Sequence, residues 1–389
     1  MACCHLNRNG KFSIMKSNEI CRIKYLCLFL VFGLSISACS KSGHNNITPS
    51  QHIYLQDCKQ KNWEDLFEDE QQVQFSFSNT KNQLLSISTL LLTSNGQYIV
   101  MDGSDKKIKL FDANGTFLKY IGKWGGQGPG EFQTPTNLVL DKTQELLIFD
   151  VFGYRLSRFT GKDYVYENEI HLKENPSNII VDPQNNLITY SYSEYMLNKY
   201  DNKGHLLKKT FKPKNKTLQF FFTRFRLGGI ADYQDEGFFL IYPEEFNIYY
   251  YDYDFNLKLV LQSNVSSKFR PEISKLPEDL SPYVFTPKHS RWWDKELHIM
   301  SILSLGSDII GVQLYKSEEL SFTDFYLSLY KLNGVVLGEG LEIPHNGIIR
   351  YAKNGYLYVA VEAQLGTENE IIPPKLYRYK LREDVENVR

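Results

Sequence analysis

Side chains able to do chemistry are spread thinly along this chain. Seven histidines follow position 39, from His44 to His345, and none stands at a metal-like spacing from another His or Cys. A zinc site is therefore not expected. His298 lies in an apolar run and reads as a packed or channel-lining residue. Four aspartates, Asp102, Asp141, Asp150 and Asp182, recur where apolar runs stop. Turn capping, in which the carboxylate accepts backbone N–H bonds, is their expected role. The alternative is a carboxylate ring holding Ca²⁺ at a channel mouth. No Gly-x-Ser-x-Gly elbow occurs, which argues against serine chemistry of the α/β-hydrolase kind. No catalytic residue can be named from sequence.

Two aromatic and cationic clusters could instead build a binding face. One is Phe220, Phe221, Phe222, Arg224, Phe225 and Arg226, and the other is His289, Arg291, Trp292 and Trp293. Such side chains offer large contact area and stacking, which suits sugar or peptide recognition. If Trp292 and Trp293 lie on a strand they face opposite sides, one into the core and one out. Basic and acidic residues number 44 and 45, for a formal charge of −1. That balance lacks the basic excess that drives nucleic-acid binding.

The elements that position these residues come from repeats. Pro135-Thr136-Asn137-Leu138-Val139-Leu140-Asp141 returns 41 residues later as Pro176-Ser177-Asn178-Ile179-Ile180-Val181-Asp182. Each is a short apolar run between a Pro turn and an Asp turn. A second kind of run follows a polar or Gly turn at Tyr98, Leu146, Leu187, Phe238, Leu297 and Tyr356. Six such hairpin signals are present. A third element places an aromatic near a turn: Phe111, Phe159, Tyr200, Tyr251, Tyr330 and Tyr379. The longest step precedes Tyr330, so the fifth unit is expected to carry an insertion around Ser304–Phe322.

About four short strands per repeat of roughly 40–50 residues predict an all-β, six-bladed β-propeller with four-stranded antiparallel blades over residues 70–385. The last unit ends before a fourth strand can form. Near the start, Val73, Phe75 and Phe77 alternate with polar residues, the pattern of a half-buried strand. That strand is expected to close the last blade. In this strand order Thr136, Asn137, Ser177 and Asn178 would border the central funnel, and Asn137 and Asn178 join the candidate ligand-binding residues.

One segment is sharper than the rest. Gly126-Gln127-Gly128-Pro129-Gly130-Glu131-Phe132, followed by a Pro and an apolar strand, resembles a motif of six-bladed propeller lipoproteins of Bacteroidetes, themselves similar to NHL-repeat propellers. The resemblance implies the same fold and an envelope location, and little about activity. A phosphate cradle would need a helix after the glycines, whereas a strand is predicted here. The glycines read as a close-packed connection between blades.

The amino terminus points the same way. Lys16, Arg22 and Lys24 precede an apolar run from Tyr25 to Ala38, too short to span a bilayer. Residues 1–38 read as a signal peptide, with translation expected to start at Met15. Ile36-Ser37-Ala38-Cys39 resembles the bacterial lipobox, which implies cleavage before Cys39 and a diacylglyceryl group on its thiol. Residues 39–69 form a tether and amino-terminal segment, polar from Ser40 to Ser50. Cys58 is the only other cysteine after the leader, so a disulfide within the mature chain is not available.

The reading is a monomeric lipoprotein of the cell envelope, on the periplasmic face of the outer membrane. Its propeller would act as a scaffold binding a small molecule, glycan or protein. The rival is a propeller enzyme of the metal-assisted lactonase or lyase type. In a bacterial host, metabolic labelling with a fatty acid should mark the wild-type chain and leave Cys39→Ser unlabelled. Label retained by Cys39→Ser would overturn the anchor.

Overall fold

The second apolar run of each repeat is long enough to cross a sheet, and its residues must be covered on both faces. A computed structural model describes residues 51–386, except 58–59, 78–82, 214–224, 264–266, 272–285, 319–320 and 366–369. Cys39 with its leader and tether, and also Phe220, Phe221, Phe222 and Arg224, lie outside the described residues.

Two strands come first, β1 (Gln51–Tyr54) and β2 (Gln71–Val73). Blade one is β3 (Thr89–Leu92), β4 (Tyr98–Met101), β5 (Ile108–Phe111) and β6 (Phe117–Ile121). A short parallel pair, β7 (Lys123–Trp124) and β8 (Glu131–Phe132), leads on. Blade two is β9 (Pro135–Leu140), β10 (Leu146–Asp150), β11 (Arg155–Thr160) and β12 (Val165–His171). Blade three is β13 (Pro176–Val181), β14 (Leu187–Ser191), β15 (Leu197–Tyr200) and β16 (Leu206–Thr210). Blade four is β17 (Gly229–Tyr233), β18 (Gly237–Ile241), β19 (Asn247–Tyr251) and β20 (Leu257–Gln262). Blade five is β21 (Leu297–Gly306), β22 (Ile309–Glu318), β23 (Ser321–Lys331) and β24 (Val336–Glu342). Blade six holds β25 (Ile348–Lys353) and β26 (Tyr356–Val361). A small hairpin, β27 (Gln364–Leu365) and β28 (Ile371–Ile372), precedes its third strand, β29 (Lys375–Lys380).

The protein is thus a six-bladed propeller of four-stranded antiparallel sheets. The innermost strands β3, β9, β13, β17, β21 and β25 each neighbour the next, and β25 returns to β3. Apolar layers fill the spaces between blades. One joins blades one and two, another blades two and three, and others blades four and five and blades six and one. The largest runs from blade three to four and from five to six, around Trp293 and Tyr315. Every residue of β4, β10, β14 and β18 is buried, because a middle strand is covered on both faces. The six recurring aromatics are all the last or next-to-last residue of the third strand of a blade and are buried.

Closure uses the predicted segment in two parts. β2 pairs antiparallel with β29 and supplies the fourth strand of blade six. The chain then crosses to blade one, where the Ser76 N–H donates to the Gly115 carbonyl. Phe75 and Phe77 pack on Phe111, with ring centroids 4.5 and 5.5 Å apart. A side chain at Gly115 would meet the Gln74 carbonyl at 2.0 Å, and φ there is +82°, so only glycine fits. β1 adds an unforeseen fifth strand to blade four, parallel to β20.

Blade five departs from the sequence reading. Leu297–Met300 belongs to the innermost strand, not the second. The preceding Asp294-Lys295 turn ends a helix, Pro287–Trp293, instead of joining two strands. Part of the extra length lies where it was expected, in an elongated β22–β23 hairpin that overlaps Ser304–Phe322, and part lies in the connection 263–296.

Deleting residues 70–78 removes the last strand of blade six and the aromatic seal of blade one together. The variant should lose its cooperative thermal transition, since one opened blade exposes two sheet edges. A deletion variant that melts at the wild-type temperature would refute this closure.

Candidate functional site

Within each blade the first strand begins, and the second ends, at the same end of the sheet. Connections between blades and loops between second and third strands therefore share one face, the upper face. The recurring aspartates divide between the two faces. Asp102 and Asp150 lie on the upper one. Asp102 accepts the Leu85, Ser86 and Ser104 N–H groups, and Asp150 those of Gln133, Thr134 and Phe152. Asp141 and Asp182 lie on the lower face and cap the first turn of blades two and three. They cap turns as expected, and they cannot form one Ca²⁺ ring because two stand at each end of the channel.

Each aspartate also meets a basic residue of the third strand. Lys109 lies 2.6 Å from Asp102, and Arg155 3.5 Å from Asp150. Arg158 is 2.8 Å from Asp141, and Lys199 2.8 Å from Asp182. Hydrogen bonds to Lys199 and Asn186 hold Asp182 below the usual carboxylate range, although burial opposes them. These groups are committed to structure. Among the described residues, no three His, Cys, Asp or Glu side chains converge in a way that could hold a metal ion.

The Gly126–Phe132 motif is a packed connection as well. Glu131 accepts the Gly128 N–H at 2.9 Å, and a Cβ at Gly126 would meet that carboxylate at 1.9 Å. Arg155 donates to the Gln127 and Glu131 carbonyls at 2.7 and 2.9 Å. Phe132 is buried beneath Gly122 against Phe159, while Pro129 is exposed.

The funnel mouth is built differently. Four innermost strands bulge near their upper ends, and the extra residues are Thr136, Ser177, Met300 and Arg350. A bulge re-aims its side chain out of the sheet alternation. The neighbouring asparagines stitch blades together. Asn137 donates to the Pro176 carbonyl at 2.9 Å, and Asn178 accepts the Ile230 N–H at 3.2 Å. Ser177 donates to the Tyr190 carbonyl, and the Gln313 amide rests 3.2 Å from the Met300 sulfur. Arg350 pairs with Glu362 at 3.0 Å, and its Nε is buried.

Arg226 sits on the connection between blades three and four, yet its guanidinium donates to the Thr136 carbonyl of blade two at 3.3 Å. It therefore reaches over the mouth. Phe225, beside it, stacks on Trp293. Trp293 in turn stacks on His298 at 3.9 Å. The second predicted cluster is thereby dispersed. On a helix rather than a strand, Trp293 and His289 point into the core, Trp292 is half-buried and Arg291 is exposed.

Sequence reasoning missed Met300 and Arg350, and also three exposed upper-face aromatics, Trp124, Phe152 and Tyr154. The doubled Pro-Thr-Asn and Pro-Ser-Asn was the available signal for the bulges. Nothing comparable marks Met300 or Arg350.

Residues 45–291 match the model of the DUF5128 family, described as a 6-bladed beta-propeller. The chain belongs to this family. A crystal structure of a Bacteroides fragilis protein assigned as exported has a TM-score of 0.60 to this DUF5128 chain, at 12% identity over 86% of it and 100% of the other. A virginiamycin B lyase from Staphylococcus aureus has a TM-score of 0.46, at 12% identity over 81% of this chain and 100% of the other. A gluconolactonase from Xanthomonas campestris has a TM-score of 0.44, at 10% identity over 77% and 87%. No curated protein matches the chain. These likenesses are of fold.

His298 tests the packing beneath the mouth. Burial pulls its imidazole down to about 4, against its bond to the Trp293 carbonyl. The unfolded ring takes a proton near 6.5, so protons favour the unfolded chain below that pH. Stability should be full above pH 6.5 and fall by about 3 kcal/mol as pH drops toward 4. Denaturant titrations should show a smaller fall for His298→Gln, and equal falls would refute the assignment.

Proposed function

We propose that this propeller is an envelope-tethered binding module that takes its ligand at the upper mouth of the funnel. The convergence of bulged residues there carries the reading. Thr136, Ser177, Met300 and Arg350 are displaced from the sheet alternation at that one end of the channel, and Arg226 lies over it. Bulges interrupt ladder bonding, so their gathering at one place points to a use beyond folding. The exposed Trp124, Phe152 and Tyr154 give the same face contact area for a sugar or peptide.

Tethering rests on the sequence of the leader and Cys39, and on likeness to a protein assigned as exported. Two acyl chains on one cysteine suffice for stable attachment. The chain would then be a lipoprotein of the Bacteroidetes kind, related to NHL-like propellers, at the periplasmic face of the outer membrane.

A thermal-shift screen of the purified chain against sugars, short peptides and organic acids tests the site. A ligand near a hundredfold its Kd should raise the melting temperature by about 4 °C. Met300→Trp fills the mouth and should abolish that shift. A ligand that stabilises Met300→Trp as much as wild type would place binding elsewhere and end this reading.

A further inference from the structure

Resting on the funnel mouth as the binding site, we infer that the ligand carries an anionic group, a carboxylate or phosphate, and that Arg226 is its anchor. Three observations carry this. First, the only partner of the Arg226 guanidinium among the described residues is a backbone carbonyl, that of Thr136. No carboxylate among them reaches it, and the one charge influence on it is Tyr192. Arg350, by contrast, has Glu362. A guanidinium offers five N–H donors in a fork that matches two oxygens of one anion, so most of its capacity is unused.

Second, the side chain is held in place by strain. Arg226 has φ +54°, in the left-handed region that long side chains avoid. The next residue fixes that conformation, because the Leu227 carbonyl accepts hydroxyl bonds from both Tyr190 and Tyr192. Gly228 follows with φ +70°, and a Cβ there would meet the Ile241 carbonyl at 2.7 Å. Backbone strain of this kind persists only where surrounding structure enforces it, and it clusters at functional positions.

Third, the buried Thr136 hydroxyl has no partner among the described residues, although its own carbonyl receives Arg226. A buried hydroxyl without a bond is costly, and an anion oxygen seated on Arg226 would satisfy it. Burial also lowers the Arg226 pKa from its ordinary value, while Tyr192 opposes that. The group stays protonated at neutral pH and partly desolvated, which strengthens a charge-assisted bond.

The test compares acetate, inorganic phosphate and glucose as probes of the purified full chain by calorimetry. At least one anion should bind and glucose should not, and which anion binds tells carboxylate from phosphate. Arg226→Gln and Arg226→Gly should weaken the anion tenfold or more, and Arg226→Lys should weaken it less. Arg226→Gly also relieves the left-handed strain, so its melting temperature should match or exceed wild type. A lower melting temperature for Arg226→Gly would make Arg226 a structural residue and overturn the inference. So would equal anion binding by the variants, or binding of neither anion while a neutral ligand of the screen is lost in Met300→Trp; in that last case the funnel reading stands. If every bound probe survives Met300→Trp, the funnel reading itself fails.

Discussion

Everything in this molecule depends on closing a ring of sheets without leaving an edge. Each blade is too thin to bury its own middle strand and needs a neighbour on both faces. The apolar layers are therefore shared, and the contribution of any blade exists only when the circle is complete. The amino-terminal segment completes it. β2 supplies hydrogen bonds to blade six, and Phe75 and Phe77 supply apolar cover to blade one. One short stretch thus joins the last blade to the first.

Within that ring, buried charge organises the loops. Lys109 and Asp102 are both fully buried, and Asp102 also gathers three backbone N–H groups. Removing two charges from water is expensive, so such pairs are a weak source of net stability. Their effect is geometric, since each holds a loop against the third strand beneath it. Arg155 extends this to the glycine-rich connection, joining Asp150 to the carbonyls of Gln127 and Glu131. The sharpest motif in the sequence is therefore part of the frame. Arg226 at the funnel mouth departs from this rule: it has a backbone carbonyl where the frame cations have carboxylates.

Local patterns were legible in the chain itself. Apolar runs became middle strands in every blade but the fifth, the six spaced aromatics came to lie at or next to the ends of third strands, and the aspartates became turn caps. Each depends on neighbours within a few residues, as when Asp182 accepts the N–H groups of Gln184 and Asn186. Repetition then multiplied a short-range signal into six blades.

Only the tertiary structure decided the mouth of the funnel. A bulge is a mismatch between two strands, so Thr136 and Arg350 are singled out by register and not by their own neighbours. Arg226 meets Thr136 across 90 positions of sequence. Trp292 and Trp293 read as strand residues until the turn after them proved to end a helix. The fold was written in periods that recur along the chain. The site arises where blades distant in sequence meet around one axis, and a linear pattern holds no record of that meeting.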